Sequence, residues 1–504
     1  MGERFPKKGE PFPKKGEPLP HLGRPSPRSG EAFPQMGLWL KGSVRGRCLS
    51  FPEGQIWANL SSVEGQTGLT EIIDGLIADF QERELPQVTP RTLSLPGLPG
   101  KADVVVGMRR SGKTWFLYQQ IEARLASGIE RDRLLYFNFE DERLLPLAAA
   151  DLSRIPEAFY RRFPASREKL CWFFFDEIQN VPGWETFVRR LLDAEKVALV
   201  LTGSSARLLS REIASSLRGR SLSTEILPFS FAESLRHAGV AVPASWPPGA
   251  RMRSLLENRL ATYLEIGGFP EVQAVSQDLR VRVLQEYIDV VIFRDVVERH
   301  GVDNLPALRY LERSLLASPA GKFSVSKLFN DLKSQGMKVG KDTLYEYLEH
   351  LQDSFLFFTA AVASPSARVR QVNPRKCYPV DPALATAVSF RASGDLGHLL
   401  ETAVYLELRR RERSLAYVAT RSGYEVDFLA EDFKGDRELV QVCADLEDPA
   451  TRQREVRALE EGIKETSCER ATLVTLREEG SFEVSGRTVR IVPAWRWLLE
   501  PGEG

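Results

Sequence analysis

The chain has 504 residues, 43% of them hydrophobic and 27% charged, which is typical of a globular protein with roughly two to four domains. Its 68 basic and 68 acidic side chains cancel, so nucleic-acid binding would need a local basic patch rather than the field of the whole molecule. The five cysteines are scattered, and no apolar run is long enough to span a bilayer. This argues against a disulfide framework, a structural zinc site and a membrane partner, and we expect a cytoplasmic protein.

Residues 1–66 are predicted to be a disordered tail and linker. Within them, residues 1–38 repeat a seven-residue unit that carries a proline and a glycine each time. Proline and glycine oppose helices and sheet ladders, and the repeat has too little apolar surface to offset the entropy lost on ordering. We interpret it as an extension ahead of the folded domains.

Residues 67–230 have the pattern of an α/β domain. Short apolar runs at Asp103–Val106, Leu134–Phe139, Leu170–Phe175 and Val197–Thr202 alternate with helical stretches. Strands and helices that alternate in this way predict a buried parallel sheet with crossover helices.

The segment Gly107–Thr114 fits the phosphate-loop pattern G-x-x-x-x-G-K-S/T and lies between an apolar strand and a helix. The two glycines let the backbone curl so that its N–H groups converge on phosphate oxygens, aided by the helix N-terminus. Lys113 would add a charge to the β- and γ-phosphates, and Thr114 a hydroxyl to Mg²⁺. Arg109 and Arg110 either touch the nucleotide or face solvent or acidic neighbours. The predicted nucleotide-binding residues are Gly107, Met108, Arg109, Arg110, Ser111, Gly112, Lys113 and Thr114.

A buried strand that ends in Asp176 and Glu177 has the form of a Walker B element. Asp176 is predicted to hold Mg²⁺ together with Thr114. Glu177 is predicted to polarise the attacking water, a role that passive binding does not require. The two motifs together predict that residues 67–230 are a P-loop ATPase core.

Three further residues of this core are candidates for catalysis. The strand after the Walker B element runs into two serines, and we favour Ser204 over Ser205 as the side chain that senses the γ-phosphate. Arg218 and Arg220 could stabilise transition-state charge, either in the same chain or in a neighbour, although surface arginines are also common.

The rest of the chain is predicted to form three parts. Residues 231–304 are mostly helical and extend the ATPase core. Residues 305–390 predict a winged-helix-like module with a helix–turn–helix. Residues 391–504 begin a second α/β pattern.

A basic hairpin in the second of these parts is a candidate for phosphate binding. It carries Arg368, Arg370, Arg375 and Lys376. The helix that would enter a DNA groove nevertheless exposes three carboxylates, which a duplex would repel. These are Asp342, Glu346 and Glu349. DNA contact and protein docking therefore both stay open.

The chain resembles a family of archaeal and bacterial AAA-type ATPases that carry a C-terminal domain of unknown function. The resemblance covers about residues 69–499. It rests on the phosphate loop and on Asn138–Arg143, Phe175–Gln179, Thr202–Ser205, Leu217–Arg220, Gly267–Glu271 and Phe293–Arg299. It implies an ATPase core, a winged-helix-like module and a C-terminal α/β domain similar to PD-(D/E)xK nucleases. ATP rather than GTP is expected from this likeness.

The nuclease-like pattern needs two metal-binding acids and then an acid and a lysine on the next strand. Glu401 and Asp427 match the first two positions. Gln441 and Cys443 stand where the second acid and the lysine are expected, so an anionic ligand and the only cation are missing. The domain is predicted to keep the fold and to have lost phosphodiester cleavage.

The leading functional hypothesis is Mg²⁺-dependent ATP hydrolysis that moves the attached C-terminal domains, in a homo-oligomer or with a protein partner. An alternative is a nucleotide-gated DNA or protein adaptor in which turnover is incidental. An active nuclease is disfavoured by Gln441 and Cys443.

Overall fold

A computed structural model of the chain describes residues 53–204, 217–242, 246–388 and 396–500, with side chains from residue 68 onward. The chain divides into two compact units, Met1–Leu60 and Ser61–Gly504, and the sheets and sites described below lie in the second. The predicted repeat tail at residues 1–38 and the alternative sensor Ser205 are outside the described residues.

The first helix, α1, spans Glu53–Glu82. It begins before Leu69, where the helical pattern becomes regular, and it includes residues 53–66, which the sequence predicts to be linker. The structure differs here because no proline interrupts the whole stretch, so the chain can continue one helix through it.

Within the described residues, five strands form a parallel sheet in the order β2-β3-β4-β1-β5. The strands are β1 (Ala102–Val106), β2 (Leu134–Asn138), β3 (Cys171–Asp176), β4 (Val197–Gly203) and β5 (Ser221–Glu225). The four strands expected from the apolar runs are all present, so the predicted α/β fold class is confirmed for this domain. The edge strand β5 is not among the predicted strands.

Helices cover this sheet and extend it. They are α2 (Lys113–Ala126), α3 (Arg154–Arg162), α4 (Trp184–Ala194), α5 (Phe231–His237), α6 (Ala250–Ile266) and α7 (Gln277–Val290), which continues as a π-helix over Val291–Glu298. The strands are nearly continuous apolar runs because both faces of the sheet are covered.

The register of the sheet places several strand ends side by side. Val106 pairs with Gly203, and Asn138 pairs with Asp176. Because the strands are parallel, their carboxyl ends meet at one edge, where ligands bind in open α/β sheets.

A second described sheet of nine strands occupies the remainder of the chain, in the order β13-β14-β12-β11-β10-β9-β7-β8-β6. Its strands are β6 (Lys322–Phe323), β7 (Phe357–Val362), β8 (Arg375–Pro379), β9 (Ser414–Ala419), β10 (Glu425–Glu431), β11 (Arg437–Val442), β12 (Arg470–Thr475), β13 (Gly480–Val484) and β14 (Arg487–Pro493). Strand β7 pairs with β9 at Ala361 and Ala416. The sheet is therefore continuous across the domain boundary predicted at residues 390 and 391.

The helices of this half are α8 (Leu305–Leu316), α9 (Val325–Ser334), α10 (Lys341–Asp353), α11 (Ala367–Val372), α12 (Pro382–Val388), α13 (Leu396–Arg410), α14 (Pro449–Thr466) and α15 (Ala494–Trp497). The helices α9 and α10 occupy the segment where the sequence predicts a helix–turn–helix.

The predicted basic hairpin is not a simple hairpin. Arg368 and Arg370 lie on the exposed helix α11, and Arg375 opens strand β8. Lys376 is buried and pairs with the carboxylates of Glu401 and Asp427, so it is not available to a phosphate backbone. The prediction that all four basic residues bind phosphate is therefore wrong for Lys376.

None of the helices in the described part of the chain combines the length and the apolar character that a bilayer span requires.

Candidate functional site

The phosphate loop leaves strand β1 and enters helix α2 at the carboxyl edge of the first sheet. A Cβ atom on Gly107 would lie 2.2 Å from the carbonyl oxygen of Ile226, so a larger residue cannot be placed there without moving the backbone. Gly112 caps α2 with φ +98°, a conformation that favours glycine. The local path of the loop therefore depends on both glycines.

The loop offers unsatisfied polar groups to an anion. The first turn of α2 receives no side-chain cap, so its N–H groups are open at the end of the helix where anions are stabilised. Ser111 Oγ is buried and has no hydrogen-bond partner among the described residues. Arg91 Nη1 donates a hydrogen bond to the Ser111 carbonyl oxygen (3.1 Å) and so stabilises the conformation of the loop. These features fit a phosphate group.

Lys113 is buried beneath the loop. Its Nζ donates to the carbonyl oxygens of Gly107 (3.1 Å) and Met108 (3.3 Å) and lies 3.2 Å from Glu177 Oε1. The ammonium group is thus held in the loop by two carbonyl dipoles and by the negative charge of Glu177.

Asp176 and Thr114 come together as the Walker motifs predict. Thr114 Oγ1 donates to Asp176 Oδ2 (2.8 Å), as does Tyr136 Oη (2.9 Å), and Thr202 Oγ1 donates to Oδ1 (2.5 Å). Burial raises the pKa of Asp176, and the neighbouring charge of Glu177 raises it further, while the three hydroxyl donors lower it. A buried carboxylate beside a hydroxyl is a set of oxygen donors that suits Mg²⁺.

Glu177 has the left-handed conformation (φ 55°), which turns its side chain toward Lys113. Its N–H donates to Thr202 Oγ1 (2.9 Å), and Gln179 Nε2 donates to its Oε2 (2.5 Å). Burial by itself would raise the pKa of Glu177. The charge of Lys113, the Gln179 amide and the Arg109 guanidinium outweigh burial, so the pKa lies below its usual value and Glu177 is ionised.

A buried carboxylate outside the two motifs, Asp295, also belongs to this site. Arg109 Nε donates to its Oδ2 (2.9 Å), while Arg299 Nη2 (3.1 Å) and Ser204 Oγ (3.4 Å) donate to Oδ1. Arg109 also donates to Glu140 (2.8 Å). Sequence reasoning missed the role of Asp295, although the segment Phe293–Arg299 is one of those that carry the family resemblance.

Arg110 differs from Arg109. It is exposed, and its guanidinium lies 3.5 Å from Glu271, which also accepts a hydrogen bond from Tyr287. The sequence leaves open whether Arg110 touches the nucleotide or faces solvent or an acidic neighbour. In the structure Arg110 faces an acidic neighbour, Glu271.

Arg218 and Arg220 lie at the other end of the sheet. The Arg220 carbonyl accepts a hydrogen bond from Ala102 N (2.9 Å) at the start of β1, and its guanidinium pairs with Asp193. Arg218 is exposed two residues earlier. A contact of either arginine with the phosphate loop of the same chain is therefore not supported, because the length of β1 separates them. A contact from a neighbouring chain stays a prediction.

The loop opens into a cavity of about 910 Å³, within the size range of small-molecule sites. The lining includes Gln87, Thr89, Arg109, Lys113, Thr114, Glu177, Phe229, His237 and Tyr287. The lining thus combines the charged groups described above with aromatic rings.

A second cavity, of about 620 Å³, lies over the second sheet. It brings together Glu401, Asp427, Gln441 and Cys443 as the nuclease-like pattern predicts. Lys376 Nζ, from β8, lies 2.8 Å from Glu401 Oε1 and 2.7 Å from Asp427 Oδ1. The predicted loss of the only cation is therefore wrong, because a strand that precedes the pattern supplies one.

Gln441 has its own role in this cluster. Its Oε1 accepts the Asp427 N–H (3.1 Å), and its Nε2 donates to Glu455 Oε2 (2.6 Å). A glutamine can bridge an N–H donor and a carboxylate, which a glutamate at this position could not do while ionised.

The fold and the first site define a P-loop protein of the AAA class. Residues 100–235 match an AAA domain family, and residues 257–394 match a domain of unknown function. The chain is 35% identical over 423 residues to the uncharacterized protein MJ1544 of Methanocaldococcus jannaschii, a match that covers 82% of this chain and 91% of the relative. The chain belongs to the same family of AAA-domain proteins as this archaeal relative.

Two more distant similarities were also found. An uncharacterized protein of Haemophilus influenzae is 28% identical over 398 residues, which is 79% of this chain and 94% of that protein. Among solved structures, the Walker-type ATPase of Pyrococcus abyssi is 16% identical, with a TM-score of 0.38, and covers 60% of this chain and 99% of its own.

Proposed function

We propose that this protein binds and hydrolyses Mg²⁺·ATP at the phosphate loop. The observation that carries the proposal is the pair of contacts at the loop, Lys113 with Glu177 and Thr114 with Asp176. Lys113, Thr114 and Glu177 line the same cavity. A binding site alone needs the lysine and the magnesium ligands. An ionised glutamate whose carboxylate lies 3.2 Å from that lysine is the additional group that hydrolysis requires.

Each residue has a role that follows from its surroundings. The loop amides and Lys113 would bind the phosphates, and the metal held by Thr114 and Asp176 would neutralise charge on the phosphate oxygens. Glu177 is ionised before substrate arrives, so it can accept a hydrogen bond from water. Gln179 and Thr202 fix the orientation of Glu177 through its carboxylate and its N–H.

Coupling to the C-terminal half is part of the proposal. Arg409, on α13, donates from Nε (2.8 Å) and Nη2 (2.7 Å) to the Glu225 carboxylate at the end of β5. The next residue, Ile226, donates its N–H to the Val106 carbonyl (2.8 Å) at the start of the phosphate loop. A movement of the phosphate loop would therefore be transmitted to α13 through Ile226 and Glu225.

Two substitutions test the proposal. Lys113→Ala removes the ammonium group and should weaken Mg²⁺·ATP binding by roughly 10- to 100-fold, the value of one or two charge-assisted hydrogen bonds. Glu177→Gln should bind Mg²⁺·ATP with nearly unchanged affinity and should hydrolyse it at least about 100-fold more slowly than wild type. Calorimetry measures the first effect and phosphate release the second.

The exposed Lys169→Ala and Glu168→Gln are matched controls and should behave like wild type. Full turnover by Glu177→Gln would refute the role of the glutamate. Absence of heat when wild-type protein is titrated with Mg²⁺·ATP would refute the site itself.

A further inference from the structure

Asp295 is an unusual residue for the element that carries it. It lies in the π-helix Val291–Glu298 beside the buried side chains of Val291, Ile292 and Val296, and only 1% of its surface is exposed. Placing a carboxylate on an apolar face costs free energy unless charged partners compensate for the lost hydration. The partners of Asp295 therefore indicate its purpose.

These partners come from both sides of the nucleotide site. Arg109 belongs to the phosphate loop, and Ser204 follows strand β4, which separates the phosphate-loop strand from the Walker B strand. Both donate hydrogen bonds to the carboxylate, at 2.9 Å and 3.4 Å respectively. Arg299, one turn later on the same helix, adds a third donor at 3.1 Å. Asp295 thus joins the two loops that would flank a γ-phosphate.

The geometry of the helix suits this role. A π-helix is wider than an α-helix and occurs mostly as short segments at functional sites. Here it continues α7 and carries Asp295 in its middle. The opposite face of the same segment exposes Phe293, which packs under the guanidinium of Arg309 on α8. One segment therefore contacts the nucleotide site on one face and the C-terminal half on the other.

A second contact with the C-terminal half follows one turn later. The rings of His300 and His350 are stacked, with centroids 3.7 Å apart and an interplanar angle of 13°. His350 lies on α10, the second helix of the predicted helix–turn–helix. Displacement of the π-helix would therefore reach α10 through packed rings.

We infer that Asp295 is a positioning residue that sets Arg109 and Ser204 for catalysis and transmits the nucleotide state to α10. The inference rests on the proposed function, since it assigns Arg109 and Ser204 to the phosphate site. Arg109 is held by Asp295 and Glu140 and lines the cavity. Phosphate binding would compete for its guanidinium, and any change in the Arg109–Asp295 pair would move the π-helix.

The test uses the full-length chain and the conservative substitution Asp295→Asn, which keeps the size and removes the charge. We expect the Kd for Mg²⁺·ATP to change by less than about 3-fold and kcat to fall by roughly 10- to 100-fold, because misplacing catalytic groups by about 1 Å has effects of this size. Hydrogen exchange supplies a second measurement: ATP should alter protection of residues 341–353 in wild type and not in Asp295→Asn.

Glu140→Gln is the matched control, because Glu140 is a more exposed partner of the same arginine and has no hydrogen bond or ion pair to the π-helix within the described part of the chain. It should retain the ATP-dependent protection of α10. Should Asp295→Asn not fold, Ser204→Ala is the second variant. It removes one of the bonds to Asp295 and should also lower kcat without changing Kd.

The outcomes separate the inference from the proposed function. If wild type hydrolyses ATP and Asp295→Asn matches it in both kcat and protection, the inference is wrong and the ATPase proposal stands. If wild type binds ATP without hydrolysis, the ATPase proposal fails, and the exchange measurement alone decides the coupling. If Asp295→Asn lowered the affinity for Mg²⁺·ATP and kcat by the same factor, the role of Asp295 would be purely structural and the inference would be overturned.

Discussion

At the scale of single residues, the buried cluster around Lys376 shows how strongly the fold alters ionisation. Glu401 is surrounded by Asp427, Lys376 and Tyr378. Burial raises the pKa of Glu401, and the Asp427 charge adds to this, so that it reaches about 8; the two hydrogen-bond donors offset only part of the effect.

The raised pKa of Glu401 predicts how the stability of the folded protein depends on pH. A carboxyl group whose pKa is higher in the folded than in the unfolded protein stabilises the fold below its unfolded value of about 4.5, and this contribution is lost as the pH rises through about 8. Wild type should therefore lose stability between these limits, and Glu401→Gln should remove much of that slope. Urea unfolding at a series of pH values measures the effect.

The exposed Glu431→Gln, on strand β10, is the matched control and should keep the wild-type slope. A slope that Glu401→Gln leaves unchanged would contradict the raised pKa. The sequence could not supply this result, because Lys376 is 51 residues from Asp427 and meets it only through the fold of the sheet.

At the scale of elements, the sequence predicts the interior well and the edges poorly. Strands β1 to β4 are apolar runs, and each of their predicted bounds lies within one residue of the observed bound. Strand β5 reads Ser-Leu-Ser-Thr-Glu and is only half-buried at the edge of the sheet, so it lacks the apolar signal by which strands are found.

The candidate site likewise contains residues that the sequence predicts and residues that it does not. The residues of the phosphate loop and Walker B strand are encoded by short local patterns, so they could be named from the sequence. Tyr136, Thr202 and Asp295 reach Asp176 or Arg109 from other elements, and only the tertiary structure brings them there. Arg220 follows the motifs closely in the sequence but lies at the opposite end of the sheet from the phosphate loop, because closeness along the chain does not determine at which end of a strand a residue lies.

The short helix α11 carries a prediction of its own. Arg368 and Arg370 are exposed on this helix, and the sequence predicts contact with either DNA or protein. If they bind a phosphate backbone, reversing both charges (Arg368→Glu with Arg370→Glu) should weaken DNA binding and reduce the slope of log K against log salt by about two. Fluorescence anisotropy with duplex DNA measures this.

Reversal of two exposed arginines on α6, Arg251 and Arg259, changes the net charge equally and should leave DNA binding in place. Absence of salt-sensitive binding by wild type would reject the DNA interpretation and leave protein docking.

At the scale of the whole molecule, the contact between Glu225 and Arg409 links the AAA sheet to the C-terminal half. Both side chains are partly buried, and the guanidinium binds the carboxylate with two nitrogens. Bidentate pairs of this kind fix geometry as well as charge.

We expect Arg409→Met to destabilise the chain by about 1.5–3 kcal/mol, the range for hydrogen bonds to charged groups. Glu225→Gln should have a similar effect, and the double variant should cost clearly less than the sum of the two, because the partners share one interaction. Urea unfolding of the four proteins measures the coupling.

The exposed Arg452→Met, on α14, is the control and should be close to neutral. Simple additivity of Arg409→Met and Glu225→Gln would show that the two residues do not depend on one another.

The continuous nine-stranded sheet has a practical consequence for dissecting the protein. A fragment that stops near residue 390 would keep β7 and lose its neighbour β9, and the complementary fragment would expose the matching edge. Unpaired edges of this kind invite aggregation. Activities of separated halves would therefore reflect damaged edges, and informative deletions have to be sought inside loops rather than at the apparent border between modules.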